Sequence, residues 1–365
     1  MFFVGDQADL RESENMPPRY LFLCPDRKSA SGGIAVIYDI VRLLNRSGYD
    51  AAVLHESPGA GYPDYSDPVP GYFTPRLHSV RWRYAGPREK LKRVRAEIAA
   101  RRDRKRLEPL ELRPDDVIVV PEFMLAEAFD AFADRPIAVL VQNPFSMMRS
   151  YQRARDRGLD PTHQAVAWFA MSEVCRTHLE ILATGTIYYS PVSMKPQEFT
   201  YREEKEPLIS YMPRKRPWEA AIVQEALLRR GKIGEYRLEA IDNLPRAQVG
   251  EVMARSRIFI SLMKDESLGF PAAEAMASGC IVVGFDGLGG AEFFDASTGI
   301  PVVEGDVAGL VAAVEQTVAE YEADPARLDE MRRHASRRVK ERYSVEAFET
   351  TFLEVWRQFH ATMQA

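Results

Sequence analysis

The sequence predicts an α/β protein of two consecutive, doubly wound domains with parallel sheets. Three observations predict it. Short apolar or β-branched runs alternate with longer amphipathic stretches, the alternation pauses once at a Pro- and charge-rich stretch and restarts, and the final part is purely helical. A chain of 365 residues is long enough for two domains that each bury a core.

In the first array the strands are read at Tyr20 to Cys24 (YLFLC), Ala51 to Leu54, Val117 to Val120, Ile137 to Val141, Ala167 to Met171 and Thr186 to Ser190. Gly33 to Asn45, Glu89 to Arg106, Phe123 to Phe132 and Glu173 to Ala183 have helical spacing between them. Strands this apolar, alternating with helices, belong to a parallel sheet covered on both faces. The stretch Pro191 to Pro207 is poor in apolar residues and marks the domain boundary. The second array restarts with Leu208 to Met212, Tyr236 to Ala240, Arg257 to Leu262, Ile281 to Phe285 and Ile300 to Val303. Two such arrays make two Rossmann-like domains, with a ligand cleft expected where the strand carboxyl ends face each other.

From Val307 onward only helices are expected, with new starts near Pro325 and Ser344. The last helix carries Phe348, Phe352, Val355, Trp356 and Phe359 on one stripe, which needs an apolar surface and is expected to pack back on the first domain. The domains are therefore read as 1–198, 199–342 and a returning C-terminal helix at 343–365.

Composition narrows the function classes. No window approaches eighteen uncharged apolar residues, and the opening MFFVGDQADLRESEN has acids where a signal peptide carries a basic flank, so a cytoplasmic protein is expected. Cys24, Cys175 and Cys280 are too far apart for a thiolate metal site and read as small buried hydrophobes. The six histidines make no metal spacing, so no metal is expected. The net charge of −5 conceals twelve Lys or Arg between Arg81 and Arg106 against Glu89, Glu97 and Asp103. That segment is either a solvated helix or a surface for anionic lipid or an anionic acceptor, which would add peripheral membrane contact. It lacks the interleaved aromatics that stack bases, so nucleic acid is not an expected partner.

The densest stretch of unusual residues is Lys264 to Gly290, KDESLGFPAAEAMASGCIVVGFDGLGG. Glu266 follows a strand, and Pro271 with the Ala-rich run places a helix start near Ser267 to Phe270, with Glu274 one to two turns inside. The N–H groups of Ser267, Leu268 and Gly269 would be unpaired there, an anion site that Gly269 lets a phosphate approach. Two carboxylates beside an anion site suit the binding of hydroxyls, and a sugar nucleotide offers hydroxyls on sugar and ribose. LISYMPRKRPWEA supplies Arg214, Lys215 and Arg216 for a diphosphate.

The run ESLGFPAAEAMASG resembles the donor-site motif of retaining glycosyltransferases of the GT-B fold, family 4 (group 1). The resemblance implies that Glu266 contacts the transferred sugar near the leaving diphosphate, that Glu274 binds the ribose hydroxyls, and that Gly289, Gly290 and Glu292 form the glycine turn and acid after the next strand. It implies Arg214 as the phosphate-binding cation, with Lys215 second. CPDRKSASGG matches the family's opening strand and Gly-rich loop, which places Gly32 and Gly33 against donor phosphates or acceptor. Where many members carry a His at a strand end, this chain has Gln142 and Asn143, amides that bond a sugar but cannot act as a base.

The function so implied is transfer of a sugar from a UDP- or GDP-linked donor to a glycan, lipid-linked or polysaccharide hydroxyl, with retention and without a metal or other cofactor. A GT-B-shaped sugar-nucleotide epimerase, a non-catalytic sugar-binding scaffold and glycoside hydrolysis by Glu266 and Glu274 are the alternatives. Hydrolysis requires carboxylates roughly 5 to 9.5 Å apart, and eight helical residues span about 12 Å, so Glu266 would have to fold back.

Overall fold

The structure, a computed structural model, describes residues 17–26, 32–58, 69–84, 86, 88, 107–195 and 198–364. These fall into two compact units. The first holds the described residues up to Ala170, Leu179–Tyr188 and the chain from Leu353 onward; the second holds Met171–His178 and Tyr189–Phe352.

In the first unit β1 (Tyr20–Leu23) leads to α1 (Gly32–Arg46), β2 (Ala51–His55), β3 (Gly71–Phe73), α2 (Pro75–Tyr84), β4 (Glu108–Pro109) and β5 (Val117–Pro121). A 3-10 turn at Glu122–Met124 precedes α3 (Leu125–Ala131), β6 (Ile137–Val141), α4 (Pro144–Asp156), α5 (Pro161–Gln164), β7 (Ala165–Ala170), α6 (Glu173–Leu182) and β8 (Thr186–Tyr189). Among the described residues these strands form one sheet in the order β4-β3-β2-β1-β5-β6-β7-β8. The pairs β1–β2, β1–β5, β5–β6 and β6–β7 are parallel. Strands β1, β2, β5 and β6 are buried along their whole length, which is why they read as unbroken apolar runs.

The second unit contains β9 (Glu206–Tyr211), α7 (Pro217–Arg230), β10 (Arg237–Ala240), α8 (Arg246–Arg255), β11 (Ser256–Leu262), α9 (Phe270–Ala277), β12 (Ile281–Phe285) and β13 (Ile300–Pro301). Its sheet runs β10-β9-β11-β12-β13, with parallel pairing throughout. Helices α10 (Val307–Ala323), α11 (Ala326–Arg342) and α12 (Val345–Gln364) follow. Asp324 and Ser344 cap the last two, their side chains accepting the N–H groups of Ala326 and Ala347 at 3.0 Å each.

Each sheet reverses its direction of growth once. β1 lies between β2 and β5, and β9 between β10 and β11, so the carboxyl ends of β1/β5 and β9/β11 are the switch points where open α/β sheets bind ligands.

The expected two parallel-sheet, Rossmann-like arrays are present, with strand ends shifted by a residue or two. The last helix does return to the first unit: the Trp356 ring lies 4.8 Å from Tyr20, 5.8 Å from Phe22 and 5.2 Å from Phe169, and Phe359 sits 5.2 Å from Phe169. β3, β4, α2, α4 and α5 were not read from the sequence. The expected helix Glu89 to Arg106 and the opening fifteen residues lie outside the described residues, as does most of the basic segment Arg81 to Arg106. The three cysteines are free and buried. Among the described residues no helix is long and apolar enough to cross a membrane.

Candidate active site

The second sheet's switch point is built from two loops. After β11 the chain runs from Met263 to Gly269 before Phe270 opens α9, with Gly269 as N-cap at φ +89° and Pro271 in the first turn. This loop lies against the turn after β12. The Glu266 N–H donates to the Gly287 carbonyl at 3.0 Å, and a Cβ on Gly289 would sit 2.4 Å from the Ser267 carbonyl. On Gly269 it would meet the Met263 sulfur at 2.3 Å, and on Gly290 the Met263 methyl at 2.7 Å. Glycine is thus required at Gly289 by the close approach of backbone to backbone and at Gly269 by its positive φ, whereas the contact at Gly290 is with the flexible end of the Met263 side chain.

Among the described residues none of the N–H groups of Ser267, Leu268 and Gly269 donates to a backbone carbonyl. The Ser267 hydroxyl is taken up by Ser172 at 2.7 Å and Cys175 at 3.1 Å, so its side chain is buried while its amide stays at the helix start. These donors, with the positive end of the helix dipole, favour an anion.

The loop after β9 supplies cations. Lys215 places Nζ 2.6 Å from Glu266 Oε1 and 2.9 Å from the Lys264 carbonyl. Arg216 is only 4% exposed; it donates to the Met263 carbonyl at 3.1 Å, pairs with Glu219 and Glu304, and lies 4.8 Å above the Phe285 ring. Arg216 therefore anchors one loop to the other, Arg214 is exposed, and Lys215 meets the carboxylate.

Glu274, on α9, is 5% exposed and accepts from Arg246 Nη1 at 2.9 Å. Burial pushes its carboxyl above the usual carboxylate range, and the Arg246 charge opposes that shift. Arg246 opens α8, also pairs with Glu198 and lies 4.9 Å above the Phe199 ring. It was not singled out in the sequence, where nothing in NLPRAQV distinguishes it from a solvated arginine. Glu266 and Glu274 are thus engaged by different cations from different elements. Glu292 accepts the Glu173 N–H at 2.5 Å and bonds from Arg342 and Tyr343 at 3.2 Å each, a packing role for that acid.

In the first unit, Gly32 and Gly33 are the first two residues of α1, where the sequence reading had them preceding the helix. Gln142 follows β6, and its Nε2 donates to the Gly33 carbonyl at 3.0 Å. Asn143 Oδ1 caps α4, accepting from the N–H groups of Phe145 and Ser146 at 3.0 Å each. Glu122, directly after β5, was missed. An acid at the end of an unbroken apolar strand was the available signal, the same one that singles out Glu266. Among the described residues no cluster of His, Cys, Asp or Glu could hold a metal ion.

The family model described as glycosyl transferase-like matches residues 213–354, which include the Arg214–Arg216 cluster, Glu266, Glu274 and the glycine turn. An α-1,6-glucosyltransferase of Actinobacillus pleuropneumoniae serotype 7 is 32% identical over 119 residues, 32% of this chain and 36% of that protein. The match thus spans about a third of that relative's length. Among solved structures, sucrose-phosphate synthase of Thermosynechococcus elongatus superposes with a TM-score of 0.63 at 15% identity, covering 94% of this chain and 100% of the other. HepE of Anabaena in complex with UDP gives 0.60 at 14% identity, covering 93% and 100%. TarM of S. aureus, in complex with UDP and α-GlcNAc-glycerol, gives 0.60 at 10% identity, covering 93% and 99%. The chain therefore has the GT-B fold, and its residues 213–354 form a glycosyl transferase-like region.

Proposed function

We propose that this protein is a retaining glycosyltransferase that moves a sugar from a UDP- or GDP-linked donor to a hydroxyl of a glycan, lipid-linked or polysaccharide acceptor, without a metal. The observation that carries the reading is the second switch point: Lys215 held 2.6 Å from Glu266, beside a helix start whose first amides have no backbone partner. UDP in the complexes of HepE and TarM supports a uridine donor as the first to test.

In the proposed reaction the bond between the sugar's anomeric carbon and the diphosphate oxygen breaks, its electron pair staying on the diphosphate. The acceptor hydroxyl bonds to that carbon from the same face, and its proton passes to the departing oxygen. Lys215, Arg214 and the Ser267–Gly269 amides hold the developing negative charge, which supplies in side chains and dipoles what a metal would otherwise supply. Glu266 accepts from hydroxyls of the transferred sugar. Glu274, paired with Arg246, accepts from the ribose. A positioned donor supplies roughly 3 kcal/mol and the rate enhancement requires about 8 or more, so several must act together.

The test is thermal-shift screening with nucleotide sugars and free nucleotides, with and without Mg²⁺ or a chelator. A ligand at 100 times its Kd stabilises by about 2.7 kcal/mol. A chelator-insensitive shift with one nucleoside diphosphate series is expected, followed by acceptor-dependent release of that diphosphate. Conversion of the donor sugar with no acceptor present would make the protein an epimerase, and binding without turnover would make it a scaffold.

A further inference from the structure

The start of α1, which follows β1 in the chain, and the segments that leave β5 and β6 meet at the first sheet's switch point. They contribute the Gly32–Gly33 helix start, Glu122 and Gln142. The Glu122 carboxylate is 2% exposed. Its Oε1 accepts from the Ser146 hydroxyl at 2.6 Å, and its Oε2 accepts from the Gln142 N–H at 3.1 Å. Gln142 continues the chain by donating Nε2 to the Gly33 carbonyl, and a Cβ on Gly33 would stand 3.1 Å from Gln142 Oε1. One buried carboxylate thus sets the backbone of the Gln142 turn, and the Gln142 side chain sets the start of α1.

The carboxylate is held by hydrogen bonds alone: besides Ser146 and Gln142, the backbone N–H groups of Glu122 and Asn143 favour its charged form. A buried carboxylate is costly without a cation or several donors. Among the described residues no charged side chain bonds it. Arg153, on the same helix as Ser146, reaches the Phe123 carbonyl instead at 3.0 Å, Glu127 pairs with Arg157 at 3.4 Å, and Asp130 pairs with Arg83 at 3.1 Å.

We propose that Glu122 is the positioning residue of a polyol-binding subsite at the first sheet's switch point, where Gln142 and the Gly32–Gly33 start of α1 make the contacts with the acceptor's hydroxyls. This rests on the reading of the protein as a glycosyltransferase. Burial raises the Glu122 carboxyl to about 7 while the bonds from Ser146 and from the backbone N–H groups of Gln142, Glu122 and Asn143 oppose that shift, so its charge changes near neutrality. The ionised form accepts from all of these donors. Protonation gives up one of them and loosens the Gln142 turn, so polyol binding weakens as pH falls through about 7.

The test measures two affinities separately on the full chain: UDP by titration, and glucose and isomaltotriose as polyol probes by saturation-transfer NMR with UDP present. Glu122→Ala is expected to weaken polyol binding at least about tenfold, or about 1.4 kcal/mol, and UDP binding less than about twofold. Glu122→Gln, which keeps the shape and one accepting oxygen, should weaken it less and remove its pH dependence. Ser146→Ala removes a single anchor and serves if Glu122→Ala does not fold. Folded variants with wild-type polyol affinity, or an equal loss of UDP and polyol, would overturn the subsite. Wild-type protein that binds UDP and neither polyol also overturns it, whereas wild-type protein that binds no nucleotide overturns the glycosyltransferase reading instead.

Discussion

At the scale of single residues, three contiguous basic residues have three different fates. Arg216 is buried and joins loops, Lys215 meets Glu266, and Arg214 is exposed. Contiguity hides this difference in the sequence, because which of three neighbours turns inward depends on the Met263 carbonyl and the Phe285 ring, which come from distant segments. If Lys215 holds the leaving diphosphate, Lys215→Ala should lower kcat by about 10²- to 10³-fold with smaller change in nucleotide affinity. Arg214→Ala should cost less, and steady-state kinetics with the donor found by thermal shift would rank the two. The reverse order would return the phosphate role to Arg214.

Glu122 also makes a prediction about stability. Its folded value of about 7 lies above the ordinary 4.5, so between these values the folded chain keeps a proton that the unfolded chain has released. Stability contributed by this group therefore falls as pH rises from about 4.5 to about 7 and is flat above, a span of roughly 3 kcal/mol at most. Urea unfolding at about pH 5 and about pH 8 should show Glu122→Gln losing this part of the slope. An unchanged slope would mean that the carboxyl titrates normally.

At the scale of elements, legibility followed apolar content. β5, β6 and β12 are buried throughout, β11 at every position but Arg257, and all four were readable as runs. β3 and β4 have three and two residues and no fully buried position, so no pattern marks them. Helix α4 buries only Pro144, Met147, Ser150 and Ala154, a stripe whose Ser and Ala give little hydrophobic contrast, and its clearest signal was the cap at Asn143. Asn143→Ala should destabilise by about 1 kcal/mol through loss of that cap.

A glycine inside β12 makes a sharper prediction at the same scale. A Cβ on Gly284 in β12 would lie 2.3 Å from the Ser261 carbonyl oxygen at φ +136°, whereas Gly48 at φ +87° has nothing within 4 Å. Gly284→Ala combines overpacking of about 1–3 kcal/mol with backbone strain of similar size, while Gly48→Ala meets strain alone, about 1 kcal/mol. Thermal unfolding of the two variants should separate them clearly. Equal losses would mean that strain, and not the Ser261 approach, makes glycine necessary there.

At the scale of the whole molecule, the C-terminal helix ties the chain's end to its beginning. Trp356 is fully buried against Tyr20, Phe22 and Phe169, more than 180 residues away in sequence. Trp356→Ala should destabilise by about 3–5 kcal/mol, measured by urea unfolding, although the residue lies in the first unit and the Lys215–Glu266 pair in the second. A loss below about 1 kcal/mol would show that the aromatic cluster is dispensable.

The sequence by itself determined the fold class, the restart of the βα array and the returning helix, and it singled out the Lys264 to Gly290 stretch. These are local patterns: runs of apolar residues set strands, spacing sets helix faces, and glycine with proline marks turns. Only the tertiary structure decided which strands are neighbours, and hence that β1/β5 and β9/β11 are the switch points. It alone paired Lys215 with Glu266, placed Arg246 on Glu274 and connected Glu122 through Gln142 to Gly33. Each of these contacts joins segments between 20 and 109 residues apart, and side chains so distant meet only when the order of strands in a sheet brings their loops together.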